Sequence, residues 1–202
     1  YRALPKEIIN ETIQQYLQKF PKASALLTQE KSEKFKKMVR EIRAELHAVH
    51  GAFQTTKKSK RKEYLKKLEQ LLQQKNIDQK EYFSLHYTIL ETNRSTKERL
   101  PFYTSLYRML FAQTGKQKTI LDLGCGLHPV SYPFMGLKNI TYFAYDIDTE
   151  DIQFLNQYFS LFSSIDGKAA VLDVRDSEKI KQLPQADVAF LFKLLDPLEH
   201  GK

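Results

Sequence analysis

Apolar residues recur every three to four positions through the first half of the chain and in short runs through the second. In residues 5–20, Ile8, Ile9, Ile13, Tyr16, Leu17 and Phe20 keep helical spacing, and Pro5 suits a first helical position. Pro21 stops that helix. A second helix is expected over 31–50, with Phe35, Met38, Val39, Ile42, Leu46 and Val49 on one stripe and Gly51 at its end. Residues 55–62, TTKKSKRK, read as a polar connector. Two more helices follow, 61–75 with Tyr64, Leu65, Leu68, Leu71 and Leu72, and 78–91 capped by Asp78. Ser95 to Glu98 fits a capping box with Ser95 as the cap. A last helix, 102–113, places Phe102, Leu106, Met109 and Leu110 on one stripe. These stripes predict an all-α helical domain over residues 1–94.

Beyond residue 114 the period changes. Short apolar runs at 119–123, 140–145, 169–172 and 187–192 predict four strands. Helical segments at 150–163 and 180–183 lie between them. Alternation of this kind predicts an α/β domain over 95–202, with a parallel sheet and helices on both faces.

Charge divides the chain in the same place. Residues 1–113 carry 23 Lys and Arg against 12 Asp and Glu, and residues 114–202 carry 9 against 12. The whole chain is +8. A basic half joined to a mildly acidic half suggests a polyanion-binding module on a second domain, with a solvated lysine-rich surface as the alternative. Within the basic half, Lys57, Lys58, Lys60, Arg61 and Lys62 form the densest run and are expected to contact RNA phosphates.

No apolar run reaches the roughly 18 residues of a membrane span. One cysteine, Cys125, permits no internal disulfide, and the chain reads as cytoplasmic. The five histidines form no metal set, and no metal is expected.

Candidate chemistry gathers at the carboxyl ends of the strands, where open α/β sheets bind ligands. The first strand runs into Asp122-Leu-Gly124-Cys-Gly126, whose glycines permit a tight turn and close approach of a ligand. Pro129 occupies the place of the third glycine of a dinucleotide fingerprint, so a pyrophosphate is not favoured. The second strand ends at Asp146, 20 residues after Gly126, where an acid accepts ribose hydroxyls. Asp173 ends the third strand, at the adenine position. An adenosyl ligand without phosphates, S-adenosylmethionine, fits this set.

Asp122-Leu-Gly-Cys-Gly126 resembles the first motif of Rossmann-like methyltransferases. Together, Ser-Thr-Lys-Glu-Arg-Leu-Pro (95–101), Leu-Gly-Cys-Gly-Leu-His-Pro (123–129), Ala-Tyr-Asp-Ile-Asp (144–148) and Leu-Phe-Lys-Leu-Leu (191–195) resemble the aminoglycoside-resistance 16S ribosomal RNA (guanine-N7) methyltransferases. The resemblance implies a Rossmann-like fold, S-adenosylmethionine as cofactor and the small ribosomal subunit as partner, with N7 of a decoding-site guanine as target. It implies that Arg99 pairs with the cofactor carboxylate, Gly124 and Gly126 line the methionine, and Asp122 and Ile147 belong to the same site. Asp146 would take the ribose, Asp173 and Val174 the adenine, and Lys193 would stand at the mouth near RNA phosphate or the target base. Asn93 stands where the family has a histidine, and Asp196 precedes Pro197 where the family has proline directly after the leucines. A housekeeping relative is the alternative to a resistance enzyme.

Guanine N7 is unprotonated at neutral pH, so its methylation needs positioning rather than a general base. Cys125 lies inside the glycine loop and reads as a packing residue, not the nucleophile of a pyrimidine C5 methylase. No Asp/Asn-Pro-Pro-Tyr run follows the fourth strand, so amine methylation has no support. Two other functions stay open: methylation of a protein or small molecule, and non-catalytic docking on ribosomal RNA. The chain opens on Tyr1 and shows four strands where methyltransferase sheets have seven, so a longer natural protein is expected.

Overall fold

The computed structural model describes residues 4–46, 55–115 and 117–194. They fall into two units, 4–46 and 55–194 without residue 116. The first unit pairs two amphipathic helices, α1 (Lys6–Lys19) and α2 (Glu33–Leu46), joined through a 3-10 stretch at Pro21–Leu26. Ile8, Ala23, Met38, Ile42 and Leu46 are its buried side chains, with Leu4. The expected end of the second helix, residues 47–50 with Gly51, lies outside the described residues.

The second unit opens with a 3-10 turn (Thr56–Lys60) and helices α3 (Arg61–Leu72), α4 (Gln79–Leu90), α5 (Arg94–Arg99) and α6 (Tyr103–Thr114). Strands β1 (Thr119–Leu123), β2 (Ile140–Asp146), β3 (Ile165–Val171) and β4 (Val188–Phe190) follow, with α7 (Thr149–Phe159) and the short α8 (Ser177–Lys181) between them. Helices α3 and α4 thus belong to the same unit as the sheet, whereas the sequence reading grouped them with the first two helices. Their apolar faces explain it. Leu65, Leu68, Ile89 and Leu90 share one core with Ile120, Leu127, Tyr142 and Leu155.

The sheet is parallel throughout, in the order β3-β2-β1-β4. The chain builds outward from β1 to β3 and then returns to the other side of β1. The order therefore reverses between β1 and β4, the place where open α/β sheets hold their ligands.

Three expectations need correction. The third strand begins at Ile165, four residues before the expected 169–172. Its Asp166-Gly167-Lys168 reads as a turn, but Gly167 sits in the strand because the Phe159 ring of α7 packs there; a Cβ would lie 2.2 Å from that ring. The cap of α5 is Asn93, not Ser95: the Asn93 side chain accepts the Thr96 N–H at 3.3 Å. On α6, Tyr103 and Tyr107 face the core with Leu110 packed against it, while Phe102 and Met109 of the expected stripe are each 61% exposed. Pro129 stands in the first turn of a 3-10 stretch at His128–Met135. Asp78 caps α4 as expected, accepting the Lys80 N–H at 2.8 Å.

No described helix is long and apolar enough to cross a membrane.

Candidate cofactor site

The loop after β1 is shaped by two glycines with left-handed backbone, Gly124 at φ 63° and Gly126 at φ 50°. A Cβ on Gly124 would meet Leu194 Cδ1 at 2.5 Å, and one on Gly126 would meet Asn93 Nδ2 at 3.2 Å. Both conformation and space therefore ask for glycine. Between them the Cys125 N–H donates to the Tyr145 carbonyl at 3.0 Å, tying the loop to β2. The Cys125 thiol is buried, and burial pushes its pKa well up, so it packs as a neutral group.

Asp146 closes the opposite wall. Its Oδ2 accepts the Gly126 N–H at 2.8 Å, and its Oδ1 accepts the Asp148 N–H at 2.9 Å. Burial raises its pKa to about 6 against these two stabilising bonds. Ile147 lies half-buried between Asp146 and Asp148. Asp148 caps α7, its Oδ1 accepting the Glu150 and Asp151 N–H groups at 2.9 and 3.0 Å.

Arg99 ends α5. Its guanidinium carbon lies 5.0 Å from the centre of the Phe192 ring, just past β4, and its Nη1 donates to Ser95 Oγ at 2.8 Å. Its Nε is buried with no hydrogen-bond partner, and so is the Tyr103 hydroxyl. The Tyr103 ring stacks 5.9 Å from the His128 ring of the β1 loop. Two buried donors without partners thus flank the reversal point, from residues that touch the ends of β1 and β4. Buried polar groups are otherwise nearly always satisfied, so a pair like this fits a ligand anion such as a carboxylate. The sequence reading missed Tyr103; its position four residues after Arg99 was the available signal.

Asp122, expected at the cofactor, is turned inward. It is 1% exposed, and its Oδ2 accepts from Tyr142 Oη and His128 Nδ1, each at 2.7 Å. His128 Nε2 meets the Tyr107 hydroxyl at 2.6 Å. The carboxylate stiffens the base of the glycine loop and does not line it. Asp173 and Val174 follow β3 in a turn, where Asp173 Oδ2 pairs with Arg175. Lys193, at φ 54°, pairs with Glu98 beside Arg99.

The expected phosphate-binding run divides. Arg61 is 3% exposed, paired with Asp151 and donating to Thr92 Oγ1 at 2.6 Å. Lys58 lies among three carboxylates, of Asp148, Glu150 and Asp151. These two therefore do not face an RNA phosphate. Arg61 falls at the buried position of α3 four residues before Leu65, which explains its inward turn. Lys57 is exposed and pairs with Glu91 at 2.8 Å, while Lys60 and Lys62 are exposed. Among the described residues no group of three or more His, Cys, Asp or Glu could hold a metal ion.

A family model described as ribosomal RNA methyltransferase (FmrO) matches residues 6–202. The 16S rRNA (guanine(1405)-N(7))-methyltransferase of Frankia casuarinae is 32% identical over 114 residues, which are 56% of this chain and 39% of that protein. The protein of the same name from Proteus mirabilis is 27% identical over 174 residues, covering 81% of this chain and 60% of its own length. The chain therefore spans 39% and 60% of these two relatives, less than two thirds of each. The crystal structure of 16S rRNA methyltransferase RmtF in complex with S-adenosyl-L-homocysteine is similar over 100% of this chain and 67% of that one, with a TM-score of 0.67 and 25% identity. The parallel sheet, the glycine loop at its reversal point and the family match over nearly the whole length lead to one conclusion: this chain belongs to the ribosomal RNA methyltransferase (FmrO) family.

Proposed function

We propose that the protein is an S-adenosylmethionine-dependent methyltransferase acting on N7 of a guanine in 16S ribosomal RNA, on the small subunit in the cytoplasm. The observation that carries the reading is the pair of buried, unpartnered donors, Arg99 Nε and Tyr103 Oη, at the reversal point of the sheet. The names of the curated relatives support it, as does the S-adenosyl-L-homocysteine complex of RmtF.

In this reading Arg99 and Tyr103 hold the cofactor carboxylate, and Gly124 and Gly126 let the methionine approach the backbone. Asp146 accepts the ribose hydroxyls through the lone pairs that its two backbone bonds leave free. Ile147, Asp173 and Val174 line the adenine. When bound, S-adenosylmethionine supplies an electrophilic methyl group on a sulfonium. Guanine N7 already carries a free lone pair, so the chain's task is alignment and exclusion of water, not proton removal. Lys193 stands at the mouth, held by Glu98 until RNA phosphate competes for it. Lys57, Lys60 and Lys62 remain as phosphate contacts, which position the RNA without reading its sequence.

The test is to expose small ribosomal subunits to the protein with labelled S-adenosylmethionine and map the label. One N7-methylguanine in 16S RNA is the expected result. Label in protein alone, or none with RNA bound, would support the other two functions. Growth of expressing cells on aminoglycosides separates a resistance enzyme from a housekeeping one.

A further inference from the structure

Lys58 sits at the centre of the basic run, yet its surroundings are acidic. Its Nζ lies 2.8 Å from Asp148 Oδ2, 3.2 Å from Glu150 Oε2 and 3.3 Å from Asp151 Oδ1. Its side chain is 22% exposed. Burial lowers its pKa, but the carboxylates of Asp151 and Asp148 raise it further, so the ammonium stays charged. A cation ringed by three carboxylates offers little net positive potential to a phosphate.

The connector that carries Lys58 is fixed on the same unit. Thr55 Oγ1 donates to the Thr92 carbonyl at 2.9 Å, and Lys57 pairs with Glu91 at 2.8 Å. Arg61 Nη2 donates to the same Thr92 carbonyl at 3.1 Å. Lys58 thus reaches its carboxylates from a backbone anchored at both ends.

The carboxylates it reaches are coupled to Asp146. Asp148 divides its two oxygens, Oδ1 to the cap of α7 and Oδ2 to Lys58. Its backbone N–H holds Asp146 Oδ1 at 2.9 Å. Four acids therefore stand within residues 146–151, and the Lys58 and Arg61 charges offset their mutual repulsion. Without Lys58, repulsion among Asp146, Asp148 and Glu150 would loosen the Asp148 peptide that aims Asp146.

We propose that Lys58 is a positioning residue for the cofactor site: it clamps Asp148, whose backbone N–H orients the Asp146 carboxylate toward the ribose. The inference rests on the reading of Asp146 as the ribose acceptor. It also makes the centre of the basic run part of the cofactor machinery.

A double-mutant cycle on the full chain tests it, with S-adenosylhomocysteine as the titrated probe. Lys58→Gln should weaken binding roughly five- to tenfold, the loss of one charge-assisted bond. In an Asp146→Asn background the same substitution should change affinity by less than about twofold, because the two act through one carboxylate. Lys58→Arg should restore most of the affinity, and Lys66→Gln, an exposed cation outside the network, should leave it unchanged. The slope of log RNA affinity against log salt should be the same in Lys58→Gln as in wild type.

Wild-type probe affinity in folded Lys58→Gln, an undiminished loss in the Asp146→Asn background, or a salt slope flattened by about 0.9 would overturn the proposal. If Lys58→Gln does not give the native circular dichroism spectrum, Lys58→Met, which keeps the apolar stem, takes its place in the cycle. An Asp146→Asn protein that binds the probe like wild type would instead overturn the ribose reading itself.

Discussion

Gly126 donates its backbone N–H to Asp146 Oδ2 at 2.8 Å, so the turn after β1 and the end of β2 are locked across the mouth of the sheet. The bond joins a left-handed glycine to an acid whose pKa burial lifts to about 6 from an ordinary 3.8. At neutral pH the carboxylate is ionised and accepts; below about 6 it protonates and one oxygen turns donor. Cofactor affinity should therefore fall as pH drops from 7.5 to 5, and this fall should be absent in Asp146→Asn. Calorimetric titration across that range checks it, and parallel pH profiles in the two proteins would contradict the assignment.

Tyr103 gives a test whose sign distinguishes binding from packing. Its hydroxyl is buried and finds no acceptor in the fold, so removing it takes no donated bond from the ligand-free protein. Tyr103→Phe should raise the thermal midpoint of the ligand-free protein while weakening its affinity for S-adenosylhomocysteine. A hydroxyl that served the fold would give a lower midpoint. Scanning calorimetry with and without the ligand decides.

Arg61 and Lys62 are neighbours in sequence with opposite roles. Arg61→Ala leaves Asp151, 1% exposed, without that cation, and should cost about 3–5 kcal/mol of stability. Lys62→Gln, at an exposed position, should leave stability within about 0.5 kcal/mol. It should flatten the slope of log RNA affinity against log salt by just under one unit. Denaturant melts and filter binding at several salt concentrations separate the two.

His86 sets an acid limit. It is fully buried between α4 and α7, bonded to the Tyr82 carbonyl at 2.7 Å and to Tyr158 Oη at 3.1 Å. Burial lowers its pKa from 6.5 to about 4. The unfolded chain thus binds a proton that the folded one refuses between about 6.5 and 4, so stability is full above pH 6.5 and declines as pH falls through that window. The loss reaches about 3 kcal/mol at the lower end. Asp146, with its raised pKa, acts in the opposite direction between 3.8 and about 6. Subtracting the pH profile of His86→Gln from that of wild type, by chemical denaturation, should isolate the His86 slope. No difference between the profiles would contradict the buried neutral imidazole.

How much of this was legible follows local rules. The apolar run of β1, the glycines after it and the Asp78 cap are nearest-neighbour signals, and the acid 20 residues on follows from strand spacing; each stands where expected. β3 was misplaced because Gly167 is there for the Phe159 ring, a contact that no local pattern contains. Ser95 and Asn93 both suit a cap, and only the backbone decides between them. Arg61 and Lys58 looked like surface because their carboxylates lie about 90 residues away. The α6 stripe was read one position off because tyrosines count as half-polar until their hydroxyls find partners, as Tyr107 does with His128 and Ser131.

In the proposed site Arg99, Tyr103, the glycine loop and Asp146 together hold an adenosyl amino acid. Titration of S-adenosylhomocysteine into the protein and into its Arg99→Lys variant tests this most directly. One-to-one binding is expected in wild type and at least tenfold weaker binding in the variant, because a point charge cannot replace the two-pronged guanidinium. Equal affinity in the two proteins, or no binding to folded wild type, would contradict it.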